Sequence, residues 1–139
     1  MRKLVGILAV AVVLAACTPN EESDNALVIG DRFFVTQVID VFVNLPEYMG
    51  RTIRYEGIFR TVDWFPTPHD NFIVYRYTMS CCGQDPIGFE VLLPPGVRPF
   101  DDFSWVEVTG VVEESHGFPA VRITSIVEAP DRGAAMVWR

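Results

Sequence analysis

The chain after residue 50 consists of five runs of hydrophobic and β-branched residues separated by turn residues. In the first run Ile53, Tyr55 and Phe59 share one parity, while charged residues such as Arg54 occupy the other. Alternation with a period of two is typical of a strand with one face in the core. The five predicted strands are Thr52 to Thr61, Phe72 to Met79, Ile87 to Leu93, Trp105 to Val112 and Val121 to Val127. The chain is therefore predicted to be mainly β.

Five short strands in a chain of 139 residues favour a small closed architecture, and we predict a five-stranded OB-like barrel. Gly110 predicts a bulge in the fourth run. We assign the barrel domain to residues 26–130. Residues 131–139 form a C-terminal tail that either folds back onto the barrel or extends away from it.

A short helix is predicted before the barrel. Ala26 to Ile29 predicts a short strand, and a segment with apolar residues at helical spacing follows it. These positions are Phe34, Val38, Val41, Phe42 and Leu45. The β-branched residues Val35, Ile39 and Val43 leave a strand as the alternative, and Pro46 ends the segment in either case.

Residues 1–16 predict a bacterial lipoprotein signal peptide. Met1-Arg2-Lys3 is a basic start, and the apolar run that follows is shorter than the roughly 20 residues of a membrane-spanning helix. Leu14-Ala15-Ala16-Cys17 resembles the lipobox, whose cysteine is lipidated and becomes the mature N-terminus; the alternative is an ordinary signal peptide cut after Ala16. We interpret residues 17–25 as the lipidated cysteine and a flexible linker. The expected location is the bacterial cell envelope, with the protein lipid-anchored on the extracytoplasmic side of a membrane.

Composition and motifs argue against nucleic-acid binding and against catalysis. Removal of residues 1–16 takes away Arg2 and Lys3, so 11 cations become 9 against 18 carboxylates and the mature net charge is −9. Nucleic acid is not an expected partner of this acidic chain, because nucleic-acid binding requires a basic surface that neutralises phosphates. Gly-x-Ser-x-Gly and His-Glu-x-x-His motifs do not occur in the sequence, and we do not expect an enzyme.

Two adjacent thiols, Cys81 and Cys82, follow the second predicted strand. Thiolates are good ligands for zinc and copper(I). Neighbouring side chains of a strand point to opposite faces, so both thiols reach one ion only if the chain bends. Gly83 permits such a bend because it adopts positive φ without a Cβ clash. Additional donors are available at Asp85, His69 and His116.

The cysteine pair has two other interpretations. In an oxidising compartment the thiols could close a strained disulfide with each other or bond to a second molecule. They could also simply pack, with Asp85 capping the turn. The sequence therefore leaves two functions open: a binding module for a transition metal ion, or a non-catalytic structural or protein-interaction barrel.

Three segments together resemble a known family. They are Tyr48 to Ile58, Met79-Ser80-Cys81-Cys82-Gly83-Gln84-Asp85-Pro86-Ile87-Gly88, and Trp105 to Gly110. Over roughly Val35 to Pro130 the chain resembles the C-terminal domain of the YcgQ-type bacterial membrane proteins, a family whose function is not established. That domain carries a Cys-Cys-x-Ala-Asp-Ala signature on an OB-type fold. The resemblance places Cys81 and Cys82 on the cysteine pair and Asp85 on the aspartate.

The resemblance implies a role beside a permease. The family is encoded next to predicted permeases, which suggests metal or solute transport with a permease or another envelope protein as partner. Its members carry transmembrane helices ahead of the domain, whereas this chain has the lipobox at Cys17, so helix-mediated contact with a permease is not implied here. We expect a lipid-anchored binding module that handles zinc or copper through Cys81, Cys82 and Asp85.

Overall fold

The computed structural model describes residues 25–64, 71–129 and 131–137. Two α-helices and seven strands form in these ranges. They are β1 Leu27–Ile29, α1 Phe34–Val43, α2 Leu45–Tyr48, β2 Thr52–Val62, β3 Asn71–Ser80, β4 Gly83–Leu92, β5 Trp105–Ser115, β6 Phe118–Glu128 and β7 Met136–Val137. The prediction of a mainly β chain is confirmed, and each of the five predicted runs is a strand. The predicted signal peptide, the lipidation site Cys17, the linker up to residue 24 and His69 lie outside the described residues.

Five of the strands form a closed ring. The sheet order is β2-β5-β6-β4-β3, and β3 pairs again with β2. Neighbours in the ring are antiparallel except β4 and β6, which are parallel. β1 adds to β2 and β7 adds to β3, both in parallel. Hydrogen-bonded ladders therefore run around the whole ring.

The core joins the inward face of the ring to one face of α1. Ile53, Tyr55 and Phe59 of β2 are buried, as their common parity predicted. The helix is confirmed over the strand alternative, and its β-branched residues Ile39 and Val43 lie on the exposed side. The helix residues in the core are Phe34, Val35, Val38 and Val41.

The helical segment ends earlier than Pro46. α1 stops at Val43, and the N–H of Asn44 donates to the carbonyl of Asp40 at 2.9 Å. Pro46 then lies in the first turn of α2, where its missing N–H costs no helical hydrogen bond. The proline therefore begins a second short helix instead of ending the first.

The bulge predicted at Gly110 is confirmed. The β5–β6 register shifts between Thr109 and Gly110. A Cβ atom at Gly110 would lie 2.4 Å from the carbonyl oxygen of Arg122, so the backbones approach too closely there for any other residue.

A second apolar cluster lies on the outer face of the ring. Its buried members are Ile58, Val62, Ile73, Tyr75 and Trp105. Ala129 and Ala135 of the C-terminal segment pack against this cluster. The N–H of Tyr77 donates to the carbonyl of Ala135 at 2.8 Å, and β7 follows in register with β3. Residues 131–137 therefore fold back onto the ring.

Candidate functional site

The β3–β4 hairpin extends beyond the ring. The ladder of β3 with β2 ends at Tyr75, and the ladder of β4 with β6 begins only at Glu90. The two strands nevertheless stay paired with each other as far as Ser80 and Gly83. Ser80 is five residues past Tyr75, which is about 17 Å of extended strand. We call residues 76–87 the hairpin arm.

Cys81 and Cys82 form the two-residue turn at the tip of this arm. Both side chains are exposed, and their Sγ atoms lie 3.4 Å apart. Gly83 follows with φ of 142°, so the bend predicted there is confirmed. The turn overcomes the alternation that would separate neighbouring side chains in a strand. It thus brings two thiols into contact in open solvent.

Ser80 stabilises the turn that carries the thiols. Its hydroxyl donates to the carbonyl oxygen of Gly83 at 3.2 Å, and it accepts from the N–H of Cys82 at 3.4 Å. The backbone on both sides of the cysteine pair is therefore bonded within the hairpin.

Of the other predicted donors, Asp85 and His116 belong to the described residues, and neither is grouped with the cysteine pair. Asp85 is exposed on the arm and lies opposite Thr78 in the ladder. His116 lies in the β5–β6 turn, with Nδ1 4.0 Å from Oε2 of Glu90. Glu90 is seven residues along β4 from Gly83, a distance of about 23 Å. Across the described ranges, no three His, Cys, Asp or Glu side chains are grouped so that they could hold a metal ion.

A buried arginine holds the root of the arm. Arg76 is 1% exposed and follows the last residue of β3 that pairs with β2. Its Nε donates to the carbonyl oxygen of Glu56 at 2.7 Å, and Nη1 donates to Asp31 and, at 3.4 Å, to the carbonyl of Ala134. One side chain therefore connects β3, β2, the segment before α1 and the C-terminal segment.

Aromatic rings and a carboxylate compensate the buried charge. The Cζ of Arg76 lies 4.6 Å from the ring centroid of Phe34 and 5.2 Å from that of Trp105. The hydrogen bond from Arg76 holds the pKa of Asp31 below its ordinary value, against the opposing effect of burial. The sequence contained a sign of this site, since an arginine at the core-facing parity of β3 requires a partner.

The two thiols lie slightly closer together than two sulfur ligands of one zinc ion would. Zn–S bonds of about 2.3 Å at the tetrahedral angle place two sulfurs about 3.8 Å apart. The Sγ atoms of Cys81 and Cys82 are 3.4 Å apart, a distance that fits a hydrogen bond between two thiols. Both thiols are exposed, so the remaining coordination positions stay open to solvent or to donors of another molecule.

Most of the chain matches the model of one known protein family. The family model described as the DUF1980 C-terminal domain matches residues 13–138. The chain belongs to this family. No match was found among the curated proteins. The DUF1980 C-terminal domain thus includes the ring, the arm and the cysteine pair, whereas the YcgQ-type assignment, its signature and the lipid anchor stay predictions.

The two described α-helices of the DUF1980 C-terminal domain are 10 and 4 residues long. In residues 25–64, 71–129 and 131–137, no helix combines the length and the apolar character needed to span a bilayer.

Proposed function

We propose that the protein is a binding module whose cysteine pair takes up a soft transition metal ion, zinc or copper(I), as cargo. The observation that carries this proposal is the contact of two exposed Sγ atoms, 3.4 Å apart, at the tip of the hairpin arm. A structural zinc site is closed by four protein ligands. Two ligands alone leave positions to which a second protein can add its own donors, which suits uptake and transfer.

The ring is the scaffold of this proposed module, and we assign it to the OB-like barrels. Numbered along the chain, its five strands follow the order 1-2-3-5-4 and then return to strand 1. One parallel pair among antiparallel neighbours gives the non-sequential connection of a small Greek-key barrel, which supports this assignment.

The proposed setting is the cell envelope. A lipid on Cys17 would anchor the domain on the extracytoplasmic side of a membrane, beside a permease or another transport protein that receives or supplies the ion. The role is binding without catalysis. The arm supports this setting, because it carries the thiols away from the ring to where a partner protein can reach them.

Metal titration tests the proposal. The full chain with Cys17→Ser, kept reduced, is titrated with Zn²⁺ and with copper(I) against competing chelators. We expect one ion per chain with Kd below about 1 μM, and loss of this binding in the Cys81→Ser/Cys82→Ser variant. Asp85→Asn is the matched control. Substitution of a residue that hydrogen-bonds a metal ligand lowers metal affinity about 10- to 100-fold, so a residue that contacts neither the metal nor its ligands should change Kd less than about tenfold. Binding weaker than micromolar for both metals, or unaffected by the double substitution, would refute the proposal.

The alternative of cysteines that only pack gives a different result in the same variants. Packed cysteines would lower the urea midpoint of the double serine variant and leave metal binding unchanged. Because Cys81 and Cys82 are exposed, we expect the midpoint of the double variant to equal that of the parent chain.

A further inference from the structure

The tip of the hairpin arm carries little charge in a chain that is otherwise acidic. The mature chain has 18 carboxylates against 9 cations, so two copies repel each other over much of their surfaces. Within the arm, Arg76 is buried at the root, and Asp85 is the one other charged residue. Two copies therefore approach each other at their tips against less repulsion than elsewhere on the surface.

The arm also holds the ring back from the tip. The β3–β2 ladder ends at Tyr75, whereas the arm stays paired as far as Ser80, about 17 Å further along the strand. Met79, two residues before the first thiol, is 47% exposed and adds an apolar, adaptable side chain beside the turn. The tip thus presents two thiols and an apolar side chain to another molecule, with the ring well behind them.

The cysteine pair supplies half of the ligands that zinc prefers. Protein zinc sites that are closed to solvent have four ligands, and four cysteines are one of the usual sets. In residues 25–64, 71–129 and 131–137, no third His, Cys, Asp or Glu side chain is grouped with Cys81 and Cys82. A second copy related by a twofold axis presents the same two residues, which completes a set of four sulfurs.

We infer that zinc joins two copies of this chain tip to tip, with Cys81 and Cys82 of each copy as its four ligands. This inference rests on the proposed metal uptake, and it names a second copy as the protein that supplies the other donors. The four thiols release four protons when their sulfurs bind Zn²⁺, and no electrons are transferred. When zinc is no longer scarce, each pair holds its own ion with water in the open positions, and the two copies separate.

A zinc titration followed by molar mass tests the inference. The full chain with Cys17→Ser is kept reduced with a phosphine, and its mass is measured by light scattering as Zn²⁺ is added. We expect one chain without zinc, the largest share of two-chain species at half an equivalent, and a decline toward one equivalent. X-ray absorption at half an equivalent should show four sulfur neighbours at about 2.3 Å. The chelator EDTA should return the protein to single chains.

Variants identify the residues that bridge the copies. Cys81→Ser/Cys82→Ser should stay a single chain at every zinc concentration. His116→Ala is the control and should still form the two-chain species, because His116 lies beside Glu90, about 23 Å along β4 from Gly83.

The outcomes separate this inference from the proposed function. Zinc bound by the cysteine pair in single chains at half an equivalent would overturn the inference alone, whereas no zinc binding by the pair would overturn both. A two-chain species that persists in EDTA, or one that is lost in His116→Ala, would also overturn the four-sulfur bridge.

Discussion

Replacement of Arg76 by methionine tests whether a buried cation fixes the root of the hairpin arm. Methionine keeps an unbranched apolar stem of similar length but removes the guanidinium group. The variant therefore leaves the packing near Phe34 largely in place, while the bonds to Glu56, Asp31 and Ala134 are lost. The carbonyl of Glu56 is then left without this donor.

The expected cost follows from these contacts. A hydrogen bond from a charged donor contributes about 1.5–3 kcal/mol, and breaking a buried ion pair costs about 3–5 kcal/mol. The side chain of Asp31 is 55% exposed and regains water when its partner is removed, which favours the lower end. We expect Arg76→Met to lower the free energy of unfolding by about 3 kcal/mol. With a urea m-value of about 2 kcal/mol/M, the midpoint falls by about 1.5 M.

Urea unfolding followed by circular dichroism measures this change. Arg122→Met is the matched control, because Arg122 pairs with Glu113 at side-chain exposures of 54% and 35%. An exposed pair of this kind contributes about 0–1 kcal/mol. A loss below about 1 kcal/mol for Arg76→Met, or equal losses in both variants, would refute the structural role assigned to Arg76.

Two further predictions concern packing and pH. Gly88→Ala should destabilise the protein by about 3 kcal/mol or more, because the new Cβ would lie 2.2 Å from the Val74 carbonyl oxygen. Gly30→Ala is the control and should change stability by less than about 1 kcal/mol, because nothing lies within 4 Å of a Cβ atom there. Thermal unfolding of both variants measures the two effects, and equal effects would contradict the prediction. The pKa of Asp31 is lower in the folded chain than in the unfolded chain, so the unfolded chain binds a proton at Asp31 more readily. The stabilisation of the fold by the Arg76–Asp31 pair is therefore complete above about pH 5 and is lost as the pH falls through the folded-state pKa. The stability difference between the parent chain and Asp31→Asn should therefore shrink between pH 6 and pH 3, and a constant difference would show that the pair contributes nothing.

Much of the ring could be predicted from local patterns. Alternation in β2 gave the buried face correctly, and helical spacing gave α1 in spite of its β-branched residues. The sequence predicts a bend at Gly83 and a bulge at Gly110; Gly83 has the positive φ that favours glycine, and at Gly110 the Arg122 carbonyl leaves no room for a side chain.

Long-range contacts could not be predicted from the sequence. β7 is two residues long, and its pairing with β3 depends on backbone bonds that leave no pattern in the sequence. Gly88 lies opposite Tyr75 where the two backbones approach closely, and the turn at Cys81 and Cys82 sets this register from a distance. Asp85 and His116 have the chemistry of metal ligands, but the length of β4 keeps His116, which faces Glu90, at the end of that strand opposite the cysteines.

X-ray absorption spectroscopy at the zinc edge tests the central proposal most directly. The reduced Cys17→Ser chain is measured with one equivalent of Zn²⁺. We predict a first shell of two sulfur atoms at about 2.3 Å together with oxygen or nitrogen neighbours, because Cys81 and Cys82 supply two of the four positions. A first shell of oxygen and nitrogen alone would contradict the proposal that this thiol pair is the metal site.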